Sequence, residues 1–211
     1  MESSLSREDA LRLAECVRGG GVAVFPTDTV YGVGCDPEDE RAARRMYELK
    51  GRPAARSSAV MFFALEPALD ALGELTEAER LALGVLLPGP LTLLLANRSQ
   101  RFRAACRNDP ATLGLRVPRL PQSLAPLAGV ECPIMQSSAN LSGEPDARTL
   151  QEVPQSLLER AELVLDGGAL PGRPSTVIDL RDFETERRWH VLREGALPRE
   201  EVREVLEPLA A

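Results

Sequence analysis

The sequence predicts an α/β protein built on a twisted, open, mixed sheet with flanking helices. Three observations point there. Apolar residues fill 44% of the 211 positions but aromatics only 4%, a composition that suits an aliphatic α/β core. Eight short apolar runs read as strands and outnumber the amphipathic segments between them, so a mixed sheet is expected instead of strict β-α-β alternation. No internal repeat or low-complexity linker cuts the chain, and residues 1–211 are expected to form a single domain.

Each element has its own signal. Ser6 followed three residues later by Asp9 is a capping arrangement, and Ala10, Leu13, Ala14 and Val17 then form one apolar stripe. Together they predict a helix that stops at Gly19-Gly20-Gly21. VAVFP (22–26) reads as a buried strand, and ERAARRMYELK (40–50) as an amphipathic helix ended by Gly51 and Pro53, which puts Lys50 where a helix runs out into a loop. Further strands are expected in AVMFFA (59–64), LTLLLA (91–96), TLGLRVP (112–118), PIMQSS (133–138), ELVLD (162–166), STVIDL (175–180) and RRWHVLR (187–193). TEAERLALGVLL (76–87) is predicted helical, with Thr76 and Glu79 as a second capping box. The last helix, PREEVREVLEPL (198–209), has Pro198 at its start and is expected to pack on the outside.

Charge narrows the function. At a formal −7, the protein has no general basic field for polyanions, so an anionic ligand must be drawn by a local cluster of cations. Of the 25 Lys and Arg residues only Lys50 is lysine. Lysine offers a compact ammonium and arginine a planar fork, so a site that needs a point charge against a phosphate does not accept the exchange freely. Cys16, Cys35, Cys106 and Cys132 form no C-x-x-C pair, and His190 is the single histidine, which excludes a zinc constellation and predicts reduced thiols. The N-terminus is polar and acidic, and the longest apolar runs are far too short to span a bilayer. A soluble, cytoplasmic protein without membrane contact is expected.

Familiar catalytic signatures are missing. There is no G-x-x-x-x-G-K-[ST], and YGVGCDP offers G-x-G without the third glycine of a dinucleotide fingerprint. A serine–histidine–aspartate triad would hang on one histidine inside an expected strand, so His190 reads as structural. What remains is polar residues at strand ends and turns: PTDTVYG, KGRP, TLGLR, QSSANLSG and RPSTVID, the places where α/β sheets bind ligands. In QSSANLSG, Ser137, Ser138, Ala139 and Gly143 let a ligand approach the backbone, while Ser138 and Asn140 supply a hydroxyl and an amide.

Taken together, these segments resemble the YrdC family of threonylcarbamoyl-AMP synthases. FPTDTVYGVG (25–34), KGRP (50–53), PGPLTLLL (88–95), LGLRVP (113–118), SSANLSG (137–143), DGG (166–168) and STVID (175–179) come in the family's order, over about residues 10–196, with 197–211 as a C-terminal helix. The resemblance implies a twisted open sheet with a concave basic face, and the joining of L-threonine, bicarbonate and ATP into threonylcarbamoyl-AMP and pyrophosphate. That reaction is the first step of N6-threonylcarbamoyladenosine modification of tRNA. The resemblance also implies magnesium with the ATP, separate threonylcarbamoyl-transferase proteins downstream, and tRNA as a potential contact.

It implies roles as well. Lys50, Arg52, Ser138 and Asn140 are the catalytic, phosphate-contacting set, Arg56, Thr112 and Arg193 complete the ATP site, and Thr29, Arg116 and Ser175 hold threonine. No protein nucleophile is needed: a carbamate oxygen attacks the α-phosphorus, and catalysis rests on positioning and on neutralising charge. The chain departs from the family pattern at Arg56, which is followed by Ser57-Ser58 where many members have Pro-Leu. Arg193-Glu194-Gly195 replaces the usual R-P-G, and Met61 stands where some members carry histidine. Two other readings are a non-catalytic module for tRNA or double-stranded RNA and a carbamoyl-transfer relative of hydrogenase-maturation proteins. Net acidity and the lack of an aromatic stacking platform weigh against the first, and the absence of room for acylphosphatase and zinc segments against the second.

Overall fold

A computed structural model describes residues 4–51, 57–73 and 75–210. Helix α1 (Arg7–Arg18) starts as its sequence dictates: the Ser6 hydroxyl accepts from the Asp9 amide at 3.2 Å and Asp9 Oδ2 accepts from the Ser6 amide at 2.9 Å. Its stripe of Ala10, Leu13, Ala14 and Val17 is buried, and each of the larger aliphatics contributes about 1.5–3 kcal/mol on leaving water. The helix ends at Gly19.

One nine-stranded sheet follows, made of β1 (Ala23–Phe25), β2 (Gly32–Cys35), β3 (Ala59–Met61), β4 (Leu91–Ala96), β5 (Thr112–Arg116), β6 (Ile134–Ser138), β7 (Leu163–Val164), β8 (Thr176–Asp179) and β9 (His190–Arg193). The spatial order is β7-β1-β2-β6-β3-β5-β4-β8-β9. Pairs β1/β7, β3/β5 and β4/β8 are parallel and the other five antiparallel, so the sheet is mixed as expected. All eight runs expected to be strands contain one. The ninth, β2, carries two glycines in GVGC and has almost no side chain by which to announce itself. It is a strand because it is squeezed between β1 and β6: a Cβ on Gly34 would lie 2.6 Å from both the Ile134 side chain and the Met135 carbonyl.

Helices α2 (Glu40–Leu49), α3 (Leu65–Leu72), α4 (Glu77–Leu86), α5 (Arg103–Cys106), α6 (Gln155–Leu158), α7 (Phe183–Glu186) and α8 (Arg199–Ala210) complete the chain. Asp39 caps α2, and the predicted Thr76/Glu79 box caps α4. Pro198 stands just before α8, which packs on α4 and buries Val202 and Leu206.

Register decides where a ligand can sit. Gln136 lies between Gly34 and Ala59, Ala59 beside Gly114, and Gly114 beside Leu94. Directly opposed residues point to the same side of a sheet. Two residues along, that side carries Gly32, Ser138, Arg116, Thr92 and Val177. Along β4 and β8 the residues on this side are half-buried while their neighbours are fully buried, so one face is packed and the other is partly open. On the open face Gly32, Gly34, Ala59, Gly114 and Ser138 carry little or no side chain, which leaves room above the backbone there.

Candidate active site

A hollow of about 340 Å³ lies on that open face, between the end of α2, the turn after β6, and the segment leading into β8. Lys50, Arg116 and Arg193 bring positive charge to its wall, and serines, Thr92, Gln136 and Asn140 supply neutral polar groups. Asp146 is its one carboxylate among the described residues.

Lys50 is the C-cap of α2 and is almost fully buried. Its ammonium donates to the Asn140 carbonyl at 2.8 Å, to Asn140 Oδ1 at 3.0 Å and to the Ser138 carbonyl. The Ser142 amide closes the junction by donating to the Lys50 carbonyl at 3.0 Å. Three oxygens converging on one nitrogen match a tetrahedral ammonium and not a planar guanidinium, whose donors spread over three nitrogens. That geometry answers why the chain keeps one lysine here. The Ser138 hydroxyl donates to Asn140 Oδ1 at 2.8 Å and the Asn140 amide nitrogen to the Glu144 carbonyl at 2.5 Å, so the S-x-N turn is locked from both ends.

Arg116 ends β5 and is likewise buried. Its Nη2 donates to Asp28 Oδ1 at 2.8 Å and to Thr29 Oγ1 at 3.1 Å, and its Nη1 to Gln136 Oε1 at 3.2 Å. Its Nε is buried with no partner among the described residues. Burial pushes the Asp28 carboxyl up from the usual carboxylate range, while the Arg116 charge and the Arg119 amide, 3.0 Å from Oδ2, pull it back. Burial also lowers Arg116 from the ordinary arginine value, yet a guanidinium keeps its proton in proteins.

Arg193 donates to the Ser175 carbonyl at 2.7 Å and to the Ser175 hydroxyl at 3.3 Å, and that hydroxyl shares a hydrogen bond of 2.8 Å with Thr92. Glu194 does not engage Arg193. The DGG segment is held from below by Tyr31, whose hydroxyl donates to the Gly168 carbonyl at 2.9 Å and accepts from the Gly167 amide at 3.0 Å. Burial drives that phenol well above its usual range, so it serves as a neutral clasp.

Lys50, Ser138, Asn140, Arg116, Ser175 and Arg193, drawn from five separate segments, therefore share one hollow. Thr29 is fully buried and reaches it only through Arg116. Thr112 faces the same side of the sheet but lies outside the lining, four residues along β5, or about 13 Å, from Arg116; its hydroxyl accepts from Arg181 at 3.3 Å. Arg52 and Arg56 lie outside the described residues. Sequence reasoning missed Gln136, Thr92, Asp28 and Asp146. Period-2 counting back from Ser138 would have found Gln136, whereas no local signal brings Asp28 to Arg116.

Among the described residues no group of three or more His, Cys, Asp or Glu could hold a metal, and no helix is long and apolar enough to cross a membrane. His190 is exposed in β9 and takes no part in the hollow. The fold and the hollow define a class: an open-sheet α/β protein whose open face carries a hollow walled by cations, hydroxyls and amides. Residues 15–195 match the Sua5/YciO/YrdC family model, described as "Telomere recombination", and the chain belongs to that family. It is 34% identical over 191 residues to the threonylcarbamoyl-AMP synthase of Pyrococcus abyssi, covering 90% of this chain and 55% of that one. It is 35% identical over 187 residues to the synthase of Chromohalobacter salexigens, covering 86% of this chain and the whole of that relative. The crystal structure of P. abyssi Sua5 complexed with L-threonine superposes with a TM-score of 0.82 at 34% identity, over 95% of this chain and 58% of that one.

Proposed function

We propose that this protein is an L-threonylcarbamoyladenylate synthase, a nucleotidyltransferase of the cytoplasm that converts L-threonine, bicarbonate and ATP into threonylcarbamoyl-AMP and pyrophosphate for tRNA modification. One observation carries the reading: the Lys50 ammonium, at the head of KGRP, lies on the Ser138–Asn140 turn of SSANLSG, in the same hollow as Arg116 and Arg193.

On this reading each group has its work. Lys50 fixes the turn and adds its charge to the wall, where the triphosphate lies against Ser138 and Asn140. Arg116, oriented by Asp28 and Thr29, takes the threonine carboxylate. Ser175 and Arg193 close the far side. The nucleoside end extends along the open face toward Thr112, and Arg52 and Arg56 are proposed as further phosphate contacts. Magnesium would enter with the phosphates, since among the described residues the hollow offers it only Asp146. Holding the carbamate oxygen in line with the α-phosphorus lowers the barrier by about 7–11 kcal/mol through orientation, and donors preset for the phosphate oxygens add about 3–4 kcal/mol each. The product is then passed to separate transferase proteins.

The test is direct. Protein, ATP, bicarbonate and L-threonine should yield threonine-dependent pyrophosphate and a mass-identified threonylcarbamoyl-AMP. Equal pyrophosphate release with and without threonine would sink the proposal.

A further inference from the structure

Thr92, on β4, and Ser175, just before β8, meet on the wall of the hollow three strands across the sheet from the Ser138–Asn140 turn. Their hydroxyl oxygens are 2.8 Å apart, and Arg193 Nη2 lies 3.3 Å from the Ser175 oxygen. A guanidinium can only donate, so one lone pair of Ser175 is spent on Arg193. The two hydroxyls have two hydrogens between them, and one is spent on their mutual bond. Among the described residues the second hydrogen has no acceptor, and the Thr92 oxygen accepts from nothing but Ser175. The pair therefore faces the hollow with a donor and a lone pair both unspent. Arg193 stands beside it with Nη1 and Nε unpartnered among the described residues. Other hydroxyls of the wall are committed: Ser138 donates to Asn140 Oδ1 at 2.8 Å and Ser57 to the Cys106 carbonyl at 2.7 Å.

The anions of the proposed reaction ask different things of a site. Ionised phosphate oxygens and a carboxylate accept and do not donate. Bicarbonate accepts through its charged oxygens and donates through its own O–H, so its seat needs both kinds of partner beside a positive charge. We infer that Thr92 is a substrate-binding residue and that Thr92, Ser175 and Arg193 form the bicarbonate seat. Arg193 and the spare hydroxyl hydrogen meet the charged oxygens, and the spare lone pair takes the bicarbonate O–H. The inference rests on the synthase reading for the need of a one-carbon anion. Arg193 is near enough to Arg116 for the two charges to oppose each other, so the amine of a threonine held at Arg116 has the carbon it must attack within the same hollow.

Thr92→Val removes the hydroxyl and keeps the branched shape that suits a strand. In buffer freed of carbon dioxide and titrated with bicarbonate, the KM for bicarbonate should rise about 10-fold in the variant, with the KM values for threonine and ATP within about twofold and an unchanged melting temperature. Thr92→Ser keeps the hydroxyl and should stay within about threefold of wild type for bicarbonate. A bicarbonate KM unmoved in Thr92→Val would overturn the seat. A larger rise in the KM for threonine or ATP would overturn it too, by giving the hydroxyl to that substrate. Binding is also read without turnover: wild-type protein should broaden the NMR line of carbon-13-labelled bicarbonate and Thr92→Val should not, and equal lines with both proteins would count against the seat. Bicarbonate broadened by wild type through Thr92, with no adenylate formed, would sink the synthase reading and leave the seat standing.

Discussion

Two arginine–carboxylate pairs in this molecule, each with a buried carboxylate, look alike and differ in how their arginines are met. At the start of α4, Glu79 is 2% exposed and both its oxygens are filled: Arg98 reaches them at 3.1 Å each, and Thr76 donates its amide and hydroxyl to Oε2. Arg98 also grips Glu184 of α7. Each charged group there is bonded to another part of the chain, so the pair joins α4 to α7 and to the loop after β4. In the Arg116–Asp28 pair the carboxylate is likewise filled, by Arg116 and the Arg119 amide. The arginine is not: among the described residues its Nε is unmet. Saturation suits a structural pair, and an incomplete set of partners beside a hollow suits the binding role proposed for Arg116.

The largest effect should come from breaking the hollow where its partners are most numerous. Lys50→Ala leaves three turn oxygens without their donor and removes the charge, and threonine-dependent pyrophosphate release should fall about 10²–10³-fold while circular dichroism stays native. Lys50→Arg keeps the charge but cannot converge on the three oxygens, so it should recover less than about a tenth of the rate, the size of effect that goes with one misplaced charged hydrogen bond. Full activity in the arginine variant would remove the geometric reason for the single lysine.

The second test crosses the two pairs. Arg116→Ala should raise the KM for threonine about 10–100-fold and leave the KM for ATP within about twofold. Glu79→Ala should do the reverse: a stability loss of about 1–3 kcal/mol in urea unfolding, from the lost cap and the stranded Arg98, which still reaches solvent, with both KM values unmoved. A threonine KM that shifted in Glu79→Ala would erase the distinction between the pairs.

Legibility in the sequence followed the range of the interaction. The capping boxes at Ser6 and Thr76, the eight apolar strands and the helix exit at Lys50 are local, and each is written within a few residues. Lys50, Ser138 and Asn140 could be read as one site only through the resemblance of their motifs, because 88 residues separate Lys50 from Ser138 and nothing local says that they meet. Strand β2 was hidden because glycine carries no periodicity, and Asp28 and Gln136 because their importance lies in what they do to Arg116 across the sheet. For Thr112, strand alternation gives its place on the open face, whereas its distance from the hollow is set by the length of β5 and is not written in the motif.

A third pair should give the smallest effect and thereby calibrate the other two. Asp179 and Arg181 lie on the open face near Thr112, joined at 2.9 Å and 2.5 Å, with the Arg181 side chain 44% exposed. The hydrogen bonds from Arg181 hold the Asp179 carboxyl below the ordinary carboxylate value. A depressed carboxyl stabilises the fold above the unfolded-state pKa of about 3.9, and that contribution is lost as pH falls through the lower folded value. Asp179→Asn should therefore cost less than about 1 kcal/mol at neutral pH, since water screens so exposed a pair. In thermal melts taken at descending pH its gap from wild type should close in acid. A gap that stayed constant down to low pH would mean that the pair acts through packing and not through charge, and the contrast between saturated, unsaturated and solvated pairs would then have to be redrawn.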